Sequence, residues 1–174
     1  MNWLRKNYGW IIALILIIAV VVGPIWIAMD AIVPPDQEEM EEYFQEDKED
    51  LALAVEYLCG MDYGYISIDQ SDLEDGVMFT GAGTQYQTIE NTSALEVLER
   101  LLGWGGYNCI TKSDQTIVFE KWDFTEMDRG IAYSVREGNR PVVQYLIKAE
   151  PLSESGWYYY EADYGEYRNL NELW

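Results

Sequence analysis

Two carboxylates, Glu161 and Asp163, stand two residues apart in the aromatic run WYYYEADYGEYR, which extends from Trp157 to Arg168. On a strand they share one face at about 6.5–7 Å. Paired acids hydrolyse glycosidic bonds at about that separation when one of them has a raised pKa. The same face carries Trp157 and Tyr159. Rings beside acids are also the chemistry of stacking on a sugar or of capturing a cation. The alternate row, Tyr158, Tyr160, Ala162 and Tyr164, is uncharged. It is expected to face the core, aligned with Val143, Tyr145, Ile147 and Ala149. β-Propensity alone favours Trp and Tyr in a strand, and surface acids are commoner than catalytic pairs. The order of expectation is therefore packing, then ligand contact by Trp157, Tyr159, Glu161 and Asp163, then catalysis. Arg136 and Lys148 offer cross-strand neutralisation of the two acids instead.

Other catalytic chemistry is largely excluded. The chain has no histidine, so Ser-His-Asp, Cys-His and HExxH arrangements are impossible. It has no G-x-S-x-G elbow, S-x-x-K pair, P-loop or G-x-G-x-x-G run, which removes most hydrolase, kinase and dehydrogenase classes. The acidic stretch DQSDLEDG, from Asp69 to Gly76, fails as a calcium loop. Aligned on Gly76, it puts Ser71 and Leu73 at ligand positions and Ala82 where the bidentate Glu belongs. Two cysteines, Cys59 and Cys109, cannot build a structural zinc site without histidine. They are either a disulfide, worth about 4 kcal/mol in the chain-entropy model, or two free thiols. No catalytic residue, metal or cofactor is expected.

The elements that must position these residues begin with a membrane anchor. From Trp10 to Met29 every residue is apolar or small. At about 1.5 Å per residue the run spans roughly 30 Å, the thickness of a bilayer core. Trp3, Tyr8 and Trp10 flank one end and Trp26 the other; Arg5 and Lys6 precede the span, and Asp30, Asp36, Glu38 and Glu39 follow it. The basic flank places the N-terminus in the cytoplasm. A cleaved secretory signal is the alternative, but the run exceeds the usual h-region and Ala28 and Ala31 do not form an A-x-A site. The expected organisation is 1–9 cytoplasmic, 10–29 transmembrane, 30–35 a tether containing Pro34-Pro35, and 36–174 an outer domain.

Within that domain Asp36 and Glu39 form a capping box. Met40, Tyr43, Phe44, Leu51, Val55 and Leu58 then recur at helical spacing until Gly60. A second helix is expected after Ser93, with Glu96 as its box partner and Leu95, Leu98, Leu101 and Leu102 as its buried side. Asn91-Thr92-Ser93 is also a formal glycosylation acceptor. YISI (65–68) and GVMFT (76–80) read as a hairpin around Glu74-Asp75-Gly76. Later strands are expected at 107–111, 116–122, 130–135, 142–149 and from Trp157, followed by a short helix through Tyr167, Leu170, Leu173 and Trp174. The order predicts an α+β fold, an antiparallel β-sheet domain with two main helices packed on one face.

Charge bounds the partners. Residues 31–174 carry thirty acids and nine bases, a formal charge of −21. That field repels nucleic acid and anionic headgroups and attracts cations and basic proteins. The expected function is a membrane-anchored extracytoplasmic domain that binds a protein partner of basic character or serves as an accessory subunit. Residues 10–29 would contact lipid. A carbohydrate-binding module using Trp157 and Tyr159, and a carboxylate-pair hydrolase using Glu161 and Asp163, are the alternatives.

Overall fold

The computed structural model describes residues 33–81, 85–136 and 138–171. The expected span 10–29, its cytoplasmic flank, and Leu173 and Trp174 lie outside them. Among the described residues no helix is long and apolar enough to cross a membrane. The chain divides into two compact units, Met1–Pro34 and Pro35–Trp174, and every element below belongs to the second.

Helix α1 spans Gln37–Cys59. Its capping box forms as the sequence requires. The Asp36 carboxylate accepts from Glu38 N and Glu39 N, and Glu39 Oε2 accepts from Asp36 N at 2.9 Å. Met40, Phe44, Leu51, Ala54, Val55 and Leu58 are buried, so one apolar stripe holds the helix to the sheet while most of its acids remain exposed.

The sheet contains β1 (Tyr65–Asp69), β2 (Val77–Thr80), β3 (Gln85–Thr88), β4 (Cys109–Ser113), β5 (Thr116–Phe124), β6 (Met127–Ser134), β7 (Leu146–Pro151) and β8 (Trp157–Asp163). The order is β3-β2-β1-β4-β5-β6-β8-β7, and every pairing is antiparallel. Helix α2 (Gln70–Glu74) interrupts the β1–β2 connection, α3 (Thr92–Glu99) runs into a π-helical turn (Arg100–Trp104), and α4 (Tyr164–Leu170) follows β8. The main core lies between the sheet and α1 with α3. It joins Phe44, Leu51 and Leu58 to Leu98 and Leu101, and these to Ile66, Ile110, Ile117, Phe119 and Ile131. The fold is α+β, with both main helices on one sheet face.

Several local expectations change. The acids of DQSDLEDG serve capping rather than a simple hairpin turn. Asp69 Oδ1 accepts from Asp72 N at 3.0 Å and from the Ser71 hydroxyl at 2.6 Å, which starts α2. Helix α3 starts from Asn91, whose Oδ1 accepts from Ala94 N at 3.1 Å, so the Ser93–Glu96 box does not form. Strand β3, QYQT, has no apolar alternation to announce it and is held only by pairing with β2. β7 begins at Leu146 rather than Val142. Residues 138–145 form a strap, and Tyr145 takes a positive φ of 56° where the chain turns into the strand.

Candidate functional site

On β8 the two rows form as alternation demands, but their faces are the reverse of those expected. Trp157 is 6% exposed and Tyr159 fully buried, both within the core beneath α1. The Trp157 ring lies 5.1 Å from Phe44 and 4.9 Å from Tyr133. The Tyr159 hydroxyl donates to Glu161 Oε1 at 2.8 Å. Tyr160 and Ala162, from the uncharged row, pack on the other face against Ala132, Val118, Val143 and Leu146. Period-two alternation separates rows but cannot say which faces the helices when both faces are covered. The rings therefore form no solvent-facing platform for a sugar.

The acids of the row have structural duties. Glu161 sits beyond the start of α1, paired with Arg129 at 3.3 Å and Lys148 at 3.6 Å. Arg129, rather than the expected Arg136, reaches it because β6 pairs Arg129 directly opposite Glu161. Asp163 caps α4, accepting from Glu166 N at 2.8 Å. Burial and the bond to Glu161 together push the Tyr159 hydroxyl well above its ordinary pKa. The structure thus keeps Glu161 and Asp163 together near the end of β8 and engages each separately.

Cys59 and Cys109 are free thiols, one of the two alternatives the sequence left open. Cys59 ends α1 on the helix layer. Cys109 is on the opposite face of the sheet, where its sulfur lies 3.5 Å from the Ser67 hydroxyl. The sheet itself separates them. Among the described residues no group of three or more Cys, Asp or Glu is placed to hold a metal ion.

A different carboxylate cluster arises on the face away from the helices. β5 pairs Glu120 with Cys109 on β4 and with Gly130 on β6, and Asp123 pairs with Asp128. Burial first, then the charges of Asp128 and Asp123, push the Glu120 carboxyl up to about 7, opposed by a hydrogen bond from Asn108. Asp128 is raised by burial and by Asp123. A carboxyl whose folded pKa exceeds its unfolded one favours folding while protonated. Its contribution is whole below about 4.5 and is lost as pH rises through about 7. Glu120→Gln should therefore raise the melting temperature near pH 8 and leave it unchanged near pH 4. Thermal melts at the two pH values check this; an equal effect at both would refute the assignment.

The most exposed large ring among the described residues was not among the sequence candidates. Trp104 is 96% exposed, yet its backbone is clamped. Gly105 N bonds to Arg100 O at 2.7 Å and Tyr107 N to Leu101 O at 3.1 Å. Arg100 forks onto Asp50 of α1 at 2.8 and 2.6 Å. Lys121, the extra residue in the β5 bulge, donates to Gly105 O. Its ammonium lies 4.1 Å from the centre of the Tyr43 ring and 4.6 Å from that of Tyr107. Asp47 adds a carboxylate beside this knot, and burial pushes the Tyr107 phenol far up. A side chain fully in water thus rides on a backbone fixed from three sides. The signal was available: in LLGWGGY, Trp104 lies outside the leucine stripe of α3 and between glycines.

Comparison with protein families, with curated proteins and with solved structures gave no match for this chain.

Proposed function

We propose that this protein is a single-pass, N-in membrane protein whose acidic outer domain binds a cationic protein partner, with Trp104 as an anchoring contact. The observation that carries the reading is Trp104, 96% exposed on an immobilised turn. A large ring held in water contributes nothing to folding, whereas a rigid exposed Trp loses little entropy on docking, and Trp is enriched at the energetic centres of interfaces.

Charge supports the partner class. Six of the nine bases are held within the domain. Lys48 pairs with Glu154, Arg100 with Asp50, and Arg129 and Lys148 with Glu161. Lys112 donates to Met61 O and Tyr63 O, and Lys121 to Gly105 O. The acids greatly outnumber these cations, so the surface field stays negative and steers positive surfaces toward it.

The test is affinity capture with the full chain at low salt, comparing wild type with Trp104→Ala. A basic protein should be recovered by the wild type, and its recovery should fall about tenfold or more in the variant. Recovery of no basic partner, or equal recovery by both proteins, would count against the reading. Trp104→Ala should shift stability by no more than about 0.5 kcal/mol, since the ring buries almost nothing.

A further inference from the structure

The helix layer contains a second surface, and its chemistry defines a ligand more closely. α1 carries nine acids, eight of them between Glu38 and Asp50. Its exposed face then changes character. Leu53 is half exposed, Ala52 and Glu56 are exposed, and Tyr57 is half-buried. Here α1 and the start of α3 diverge around a groove of about 460 Å³, floored by Leu53, Tyr57, Met61, Ala94 and Val97 with Glu56 on its wall. The volume is within the range of ligand sites. Glu90 precedes the lining residue Asn91, and its charge, after burial, raises the Tyr57 phenol pKa, so a second carboxylate flanks the groove. No base lines it, and no basic residue occupies the last turn of α1. Lys112, the ammonium nearest that helix end, is buried and spent on Met61 O and Tyr63 O.

The lead-in to the groove is mostly acidic, with Lys48 its one lining base. A shallow depression along α1 is lined by Gln45, Glu46, Lys48, Glu49 and Asp50. Lys48 is turned to Glu154 and Asp50 holds Arg100, while Glu46 and Glu49 are exposed. An apolar trough continuous with an acidic strip complements a segment with one apolar and one cationic face.

We infer that the α1–α3 groove is a docking site for a cationic amphipathic segment of a partner protein, its apolar side chains in the trough and its Lys or Arg residues on Glu56, Glu90, Glu46 and Glu49. The geometry is the helix-in-groove mode of recognition. This rests on the proposed cationic partner and names where that partner binds. The apolar trough supplies affinity that outlasts salt screening, and the acids supply approach and polarity of binding.

The test uses the full chain and a designed peptide of leucine and lysine patterned as an amphipathic helix, with a scrambled peptide of the same composition. Binding is followed by fluorescence anisotropy at low and high salt. Leu53→Asp removes apolar surface and adds a negative charge. Docking in the groove predicts about tenfold weaker binding, whereas attraction to charge alone predicts equal or tighter binding and would overturn the inference. Ser93→Trp, at the exposed mouth, should obstruct the groove to a similar extent without changing charge, which guards against a folding defect in the first variant. Val142→Asp, on the strap, should leave the loss unobserved. Zero-length carbodiimide cross-links should concentrate on Glu56, Glu49 and Glu46; cross-links spread evenly over the carboxylates would overturn the site. If the wild type fails to bind the patterned peptide at low salt, the proposed function fails with it. If binding survives Leu53→Asp and Ser93→Trp, only the groove is refuted.

Discussion

Trp157→Ala should lower the domain's stability by about 3–5 kcal/mol, the usual loss when a large aromatic is removed from a core. The indole is 6% exposed and touches three rings, Phe44 at 5.1 Å, Phe119 at 6.0 Å and Tyr133 at 4.9 Å between centroids. Phe44 comes from α1, Phe119 from β5 and Tyr133 from β6. Truncation therefore opens a cavity where one helix and three strands meet. Native domains hold only about 5–15 kcal/mol in total, so the variant should be partly unfolded at moderate temperature. Denaturant titration of wild type and variant, followed by circular dichroism, measures the loss. A loss under about 1 kcal/mol would mean that Trp157 lies at the surface, and the sugar-platform alternative would then regain its ground.

The second large effect is expected at Gly130. A Cβ placed there would run into the carbonyl oxygen of Phe119 and meet Tyr160 Cε1 at 3.0 Å and Glu120 Cα at 3.1 Å. Two of these neighbours are backbone of the paired strand, which cannot swing aside as a side-chain tip would. The site lies where β5 bulges between Glu120 and Trp122 and where the Tyr160 ring crosses the face of β6. Gly130→Ala should cost about 3 kcal/mol, at the upper end for an added methyl in a packed site. Because the shift must pass through β5, it should also move the raised titration of Glu120. Gly103→Ala is the control: nothing lies within 4 Å of its added methyl, and alanine favours the helical turn, so stability should rise by about 0.5–1 kcal/mol. Equal behaviour of the two glycine variants would remove the argument for close approach at Gly130.

Much of the architecture was legible because it is local. The box of Asp36 and Glu39, the apolar stripe from Met40 to Leu58 and the stop at Gly60 specify α1 without reference to any other element. The strands of the second half alternate in hydrophobicity, and their short connections leave antiparallel pairing as the simplest closure. The structure departs from the sequence pattern where a local signal has two solutions. Ser93 and Asn91 are both good caps, and the one whose oxygen reached a free N–H prevailed. Polar QYQT becomes a strand only because β2 presents an edge. On the last strand Ala149 pairs with Tyr160 as expected, but a bulge between Leu146 and Lys148 sets Leu146 rather than Ile147 opposite Ala162, a backbone irregularity with no composition of its own.

The candidate site divides along the same line. The sequence was sufficient for the alternation of WYYYEADY into two rows, the acid excess beyond residue 30 and the absence of histidine chemistry, since each depends on residue order or count alone. Only the tertiary structure could decide that Trp157 and Tyr159 face the helices and that Tyr160 faces the strap. It also set the two cysteines on opposite sides of the sheet and left Trp104, rather than Trp157, in water. The physical reason is shared: which face of a strand is covered depends on what the rest of the chain lays across it, and that covering comes from residues about 20 to 110 positions away.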